Sequence, residues 1–130
     1  MIPRPQQAIA DLAIRLAMRV APNTTDAFSA ADAGLIAQLM LTVSQEFERS
    51  IDTRMSDIAE MKTLLADRPQ GESYQDMQPE NFTLAAVNVV HDEGMRRVIA
   101  LHAWAEQHDE ALNAEIWQFL RRYSERHKFD

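Results

Sequence analysis

The architecture of this chain follows from residues 29–67, which read SAADAGLIAQLMLTVSQEFERSIDTRMSDIAEMKTLLAD. This stretch contains no proline, and its only glycine is Gly34, near its start. Its apolar residues recur with the period of a straight α-helix, about 3.6 residues: Ile36, Met40, Val43, Phe47, Ile51, Met55, Ile58, Met61 and Leu65. The pattern predicts one helix, about 57 Å long at ~1.5 Å per residue, which needs partner helices to bury its apolar side.

The composition favours a folded, all-helical protein. Of the 130 residues, 46% are hydrophobic and 25% are charged, and only three are glycine. These proportions are ordinary for a globular domain, and the composition favours helices over β-sheets. We therefore expect a single all-α domain over residues 1–130. It would be an up-and-down bundle of about four helices with one very long helix, completed or extended by dimerisation.

Periodicity and cap residues place the four helices at about residues 5–21, 29–67, 81–107 and 109–127. Ser29 and Asn81 are the predicted N-caps of the second and third helices. The polar run from Glu106 to Glu110 favours a break before a last helix capped by Asp109, although one continuous helix is the alternative. The loop at residues 68–80 is either a mobile connection or a segment that contacts a ligand or a partner.

The net charge and the distribution of basic and apolar residues limit the classes of partner and the location that we expect. A formal charge of −7 disfavours binding to nucleic acid or anionic membranes. The basic residues near the end of the last helix either complement its C-terminus or bind phosphate or an acidic partner: Arg121, Arg122, Arg126 and Lys128. No signal peptide and no membrane span are expected, so the expected location is cytoplasmic.

The histidines are the best candidates for metal chemistry. His102 and Glu106 stand four residues apart on one predicted helix face, and His91 lies three turns earlier. The chain has no cysteine and no Glu-x-x-His pair, so the ligand sets of thiolate sites and di-iron bundles are both incomplete. We therefore expect no cofactor and no complete metal site within one chain. The alternative is a metal site that uses His91, His102 and Glu106.

The sequence contains no recognisable catalytic motif. There is no glycine-rich phosphate loop and no recognisable pairing of a nucleophile with a base. The acidic residues of the long helix, such as Asp57 and Glu60, are expected to form a solvated face with Arg49, Arg54 and Lys62. The catalytic site is therefore predicted to be absent, and the chain is interpreted as non-enzymatic.

The first helix suggests self-association. Its polar residues form one narrow stripe, so most of its circumference is apolar and needs cover on more than one side. The predicted interface residues are Ile9, Leu12, Ile14, Leu16 and Met18. We expect a homodimer that acts as a structural or regulatory protein-interaction module, and a further protein partner is left open. The alternative is a small-molecule- or metal-binding bundle, with or without enzymatic activity, whose site lies near His91, His102, Glu106 and Trp104.

Overall fold

The structure, a computed structural model, describes residues 4–130. It is 81% helix, and the described residues contain no strand. The four helices are α1 (Pro5–Arg15), α2 (Ala27–Leu65), α3 (Leu84–His108) and α4 (Glu110–Arg126). The predicted class, all-α with four helices of which one is long, is confirmed.

The chain divides into two compact units. The first ends at Arg49 and also includes Phe129, and the second comprises Ser50–Lys128 with Asp130. Helix α2 has 39 residues and no interruption, so it belongs to both units. The prediction of one unbroken helix across this region is therefore confirmed, while the single-domain organisation stays a prediction.

Helix α2 starts two residues before the predicted cap at Ser29. The side chain of Asp26 caps the helix, because its carboxylate accepts hydrogen bonds from the backbone N–H groups of Phe28 and Ser29, each at 3.2 Å. The Ser29 hydroxyl also donates to Asp26, at 2.7 Å. These bonds hold the pKa of Asp26 below its ordinary value.

Helix α3 starts three residues after the predicted cap at Asn81. The hydroxyl of Thr83 accepts a hydrogen bond from the N–H of Ala86 at 3.2 Å, which makes Thr83 the cap. Asn81 instead accepts hydrogen bonds from the N–H and the hydroxyl of Thr83. The predicted break before α4 is present, and the carboxylate of Asp109 accepts from the N–H of Leu112 at 3.0 Å.

The first helix is less regular than its sequence predicted. The α-helix ends at Arg15, a π-helical segment covers Leu16–Val20, and a 3₁₀ turn covers Ala21–Asn23. Pro22 has no N–H to continue an α-helical ladder. The helical path nevertheless extends close to the predicted end at residue 21.

The second unit has the hydrophobic core. Its members come from α2, the following loop, α3 and α4, and each is at most 3% exposed: Ile58, Met61, Leu65, Tyr74, Val87, Val90, Val98, Leu101, Ala105, Leu112, Ile116 and Phe119. Helices α3 and α4 contribute eight of these twelve residues.

The loop after α2 is anchored to the helices on both sides. Tyr74 is completely buried, and its hydroxyl donates to the backbone carbonyl of Val90 at 3.0 Å. Lys62 donates to the carbonyl of Met77 at 2.7 Å, and Gln75 donates to the carbonyl of Lys62 at 2.6 Å. The loop therefore contributes a core side chain.

Candidate functional site

The first unit exposes most of its large apolar side chains. Ten of them are 45–81% exposed and are called here the N-terminal apolar surface: Leu12, Ile14, Met18, Val20, Phe28, Leu35, Ile36, Leu39, Val43 and Phe47. Among the described residues of this unit, the buried hydrophobic ones are Ala13 and Ala37. A unit with two buried alanines has almost no core of its own.

The first part of α2 lies antiparallel to α1. The Ser44 hydroxyl donates to the backbone carbonyl of Gln6 at 2.6 Å, which fixes the level of the two helices. Ala13 lies seven residues after Gln6, and Ala37 lies seven residues before Ser44. Since the helices are antiparallel, these two buried alanines lie at the same level of the helix pair. The residues buried at that level are therefore small ones, one from each helix.

An apolar cleft of about 340 Å³ lies on this unit. Ile9 of α1 and four residues of α2 line it: Ile36, Leu39, Met40 and Val43. The cleft thus joins both helices into one apolar face. Of the predicted interface residues, Leu12, Ile14 and Met18 are exposed, and Ile9 and Leu16 are half-buried.

By length and composition, α2 also qualifies as a membrane span. Within the apolar 18-residue window that meets this criterion, only 11% is buried inside the structure. Helix α2 carries six of the ten side chains of the N-terminal apolar surface. The expectation of a chain without a membrane span therefore stays a prediction.

A second candidate site is centred on Asp57, in the second unit. The Asp57 carboxylate is completely buried, contrary to the predicted solvated face. Its Oδ2 atom accepts hydrogen bonds from the Nε2 atoms of His91, at 2.8 Å, and His127, at 2.6 Å. Its Oδ1 atom accepts from Arg126 Nη1 at 2.5 Å. The three donors belong to α3, to the end of α4 and to the residue that follows it.

These donors explain why a carboxylate is tolerated in this position. Burial alone would raise the pKa of Asp57, but the hydrogen bonds from His91, His127 and Arg126 outweigh it and hold the pKa below its ordinary value. Arg126 also donates to Glu60 at 2.9 Å. Asp57 thus links α2 to α3 and to the end of α4.

Two of the basic residues near the C-terminus belong to this network. Arg122 donates to Glu60 at 2.6 Å, and Arg126 contacts both Asp57 and Glu60. Burial of Glu60 raises its pKa, but the bonds from Arg122 and Arg126 lower it below the ordinary value overall. These two side chains thus contact acidic residues of α2 within the same chain.

The structure brings together only two of the three metal ligands suggested by the sequence, His102 and Glu106. His102 Nε2 lies 3.6 Å from Glu106 and 2.9 Å from the side-chain oxygen of Asn113 on α4. His91 stands eleven residues earlier on the same helix, about 16 Å away at ~1.5 Å per residue, and contacts Asp57 instead. One ion cannot be shared over that distance.

Trp104 also lies outside any common site with His91. Its ring stacks on His108, with centroids 5.1 Å apart. The ring packed against His102 is that of Trp117, at 5.3 Å. The structure therefore does not gather the four residues near which the alternative site was predicted.

The sequence pointed to His91 but missed Asp57 and His127 as its neighbours. Asp57 and His127 are 70 residues apart, and no spacing rule pairs them. The available signal was weak: two acids three residues apart, at Asp57 and Glu60, and two arginines four residues apart, at Arg122 and Arg126. A comparison with known families, characterised proteins and solved structures finds no match to this chain.

Proposed function

We propose that this protein is a non-enzymatic helical homodimer that acts as a structural or regulatory protein-interaction module. The interface would be the N-terminal apolar surface. The observation that carries the proposal is the large, exposed apolar surface on a unit whose described residues include only two buried hydrophobic ones, Ala13 and Ala37. A soluble monomer rarely exposes a contiguous apolar patch beyond about 300–600 Å².

A second copy fits this surface well. Two antiparallel helix pairs packed face to face would make a four-helix bundle and cover both apolar faces at once. Ten half-exposed large side chains offer an area of the order of the ~800 Å² per partner typical of stable interfaces. Between Ala27 and Gln45 the only charged residue is Asp32, so two copies of α2 can meet with little charge repulsion.

A lipid bilayer is the competing occupant, and charge disfavours it. Helix α1 is tied to α2 by the bond from Ser44 to Gln6, so the two helices would enter the bilayer together. That would bring the exposed Asp11, Arg15 and Arg19 into hydrocarbon. Each charge near the bilayer centre costs about 2.5–3.5 kcal/mol, whereas in a dimer the same stripe can stay in water.

The oligomeric state tests this proposal. Light scattering on the purified chain at tens of micromolar is expected to give twice the monomer mass of 14.8 kDa. Ile14→Glu and Leu39→Glu should each shift the protein towards monomer. The dimer would otherwise bury two unpaired carboxylates, at a cost of several kcal/mol, so its Kd should rise about 100-fold or more.

Ile99→Glu is the matched control. Ile99 lies on α3 and is 65% exposed, more than Ile14, but it belongs to the second unit. This variant should stay dimeric. A monomeric wild type, or dimers that persist unchanged in both Ile14→Glu and Leu39→Glu, would overturn the proposal. A monomeric wild type that floats with lipid vesicles would assign the surface to a membrane instead.

A further inference from the structure

Asp57, His91 and His127 form a set of metal-type donors independent of the proposed dimer interface. One ligand atom from each residue lies within 4.8 Å of the others. Asp57 and His91 are buried and His127 is half-buried. The residues come from α2, from α3 and from the position after α4, so the fold has already brought three chain segments to one point.

We propose that this cluster binds a divalent first-row transition ion, with Zn²⁺ as the reference ion, through Asp57 Oδ2, His91 Nε2 and His127 Nε2. Two imidazoles and one carboxylate are a ligand set that zinc accepts, with a water molecule completing a four-coordinate site. Such a site would contradict the expectation that one chain holds no complete site.

Ion binding requires both histidines to move back slightly from Asp57. Zinc ligands at about 2.0–2.2 Å from a tetrahedral ion stand ~3.3 Å apart. The two Nε2 atoms now lie 2.8 and 2.6 Å from Asp57 Oδ2, so each separation must widen by about 0.5–0.7 Å. The two imidazole rings are inclined at 70° with their centroids 6.4 Å apart, so they are not stacked on each other.

The protons can be accommodated as well. With Asp57 as acceptor, each imidazole now carries its proton on Nε2. When an ion binds, each ring must give up its Nε2 proton to solvent and carry a proton on Nδ1 instead, so that the Nε2 lone pair is available to the ion. His91 Nδ1 lies 3.8 Å from the carboxylate of Asp92, whose exposed side chain can turn to accept a hydrogen bond from Nδ1–H. A carboxylate behind a metal-binding histidine is a common supporting contact.

Arg126 affects both orientation and affinity. It holds Oδ1 of Asp57, which leaves Oδ2 directed at the two histidines. Its positive charge opposes a cation, although Glu60 accepts a hydrogen bond from the same guanidinium and offsets part of that charge. Binding should therefore be weaker than in a site where no arginine contacts the ligand carboxylate.

The test uses the full chain without a histidine tag, treated with EDTA and dialysed. Titration calorimetry with Zn²⁺ near neutral pH is expected to show one ion per chain, and the thermal midpoint should rise with added Zn²⁺. Co²⁺ should give the intense visible absorption of a four-coordinate site.

His127→Gln removes one imidazole but keeps an amide that can donate to Asp57. It should weaken Zn²⁺ binding by at least about tenfold, and His91→Gln should do the same. His108→Gln is the matched control: it changes an exposed histidine that stacks on Trp104, and it should leave Zn²⁺ binding unchanged.

Three results would overturn the proposal. The first is no binding by the wild type at about 100 µM Zn²⁺. The second is unchanged affinity in both His91→Gln and His127→Gln. The third is loss of binding in His102→Gln alone, which would move the ion to the His102–Glu106 pair. Circular dichroism of each variant separates lost binding from lost folding.

Discussion

At the scale of single residues, Tyr74 has the most consequential environment. It lies in a loop, yet its side chain is completely buried and its hydroxyl donates to the carbonyl of Val90. The Arg97 guanidinium lies 5.7 Å from its ring centre. Burial raises the pKa of Tyr74 to about 12 and outweighs the opposing charge of Arg97. The neutral phenol is therefore the form that the fold accepts.

This pKa predicts a loss of stability at alkaline pH. In the unfolded chain Tyr74 ionises near pH 10, and in the folded chain it ionises only near pH 12. Its contribution to the free energy of unfolding is thus full below pH 10 and is lost as the pH rises towards 12. The loss should be on the order of 2 kcal/mol.

Urea unfolding of the wild type and Tyr74→Phe, followed by tryptophan fluorescence from pH 8 to 12, measures this effect. Near neutral pH the variant should be less stable by about 1 kcal/mol, because it lacks the hydrogen bond to Val90. Above pH 10 the difference should shrink, since phenylalanine does not ionise. A difference that stays constant across this range would contradict the assigned pKa.

At the scale of elements, the packing of α3 depends on Gly94. A Cβ atom there would lie 2.7 Å from Met61 Cε and 2.8 Å from Tyr74 Cζ, and closer still to the Tyr74 hydroxyl oxygen. Helix α3, helix α2 and the loop after α2 therefore meet at Gly94, where there is no room for a side chain. This contact also explains why α3 tolerates a residue that weakens isolated helices.

Gly94→Ala should lower the free energy of unfolding by about 1–3 kcal/mol, because overpacking outweighs the helix propensity gained. Gly34→Ala is the matched control, since a Cβ there meets nothing within 4 Å. That change should stabilise the protein by about 0.5–1 kcal/mol. Urea denaturation at one fixed protein concentration compares the two, and equal effects would refute the packing argument.

At the scale of the whole molecule, the proposed dimer couples folding to concentration. If association stabilises the folded chain, the thermal midpoint must rise with protein concentration. For a chain of 130 residues, a hundredfold increase should raise it by about 5 °C. Circular dichroism melts at about 2 and 200 µM measure the shift. Ile14→Glu should remove it and Ile99→Glu should retain it; a wild-type midpoint independent of concentration would contradict a dimer linked to folding.

The sequence by itself determined the helices of this protein. Periodicity and the absence of proline specified the continuous α2, and Asp109 marked the break before α4, because these signals depend on neighbours within a few residues. It also identified α1 as too apolar to stand alone. It did not show that Asp26 and Thr83 would be the caps, because several cap-forming residues stand close together at both helix starts.

Only the tertiary structure decided which apolar residues are covered and which polar ones are buried. The apolar stripe of α2 is uniform in sequence, yet Ile58, Met61 and Leu65 lie in a core while Ile36, Val43 and Phe47 are exposed. Burial depends on which segments pack alongside, and periodicity contains no information about them. For the same reason Asp57 looked like a surface residue until the fold placed His91, Arg126 and His127 around it.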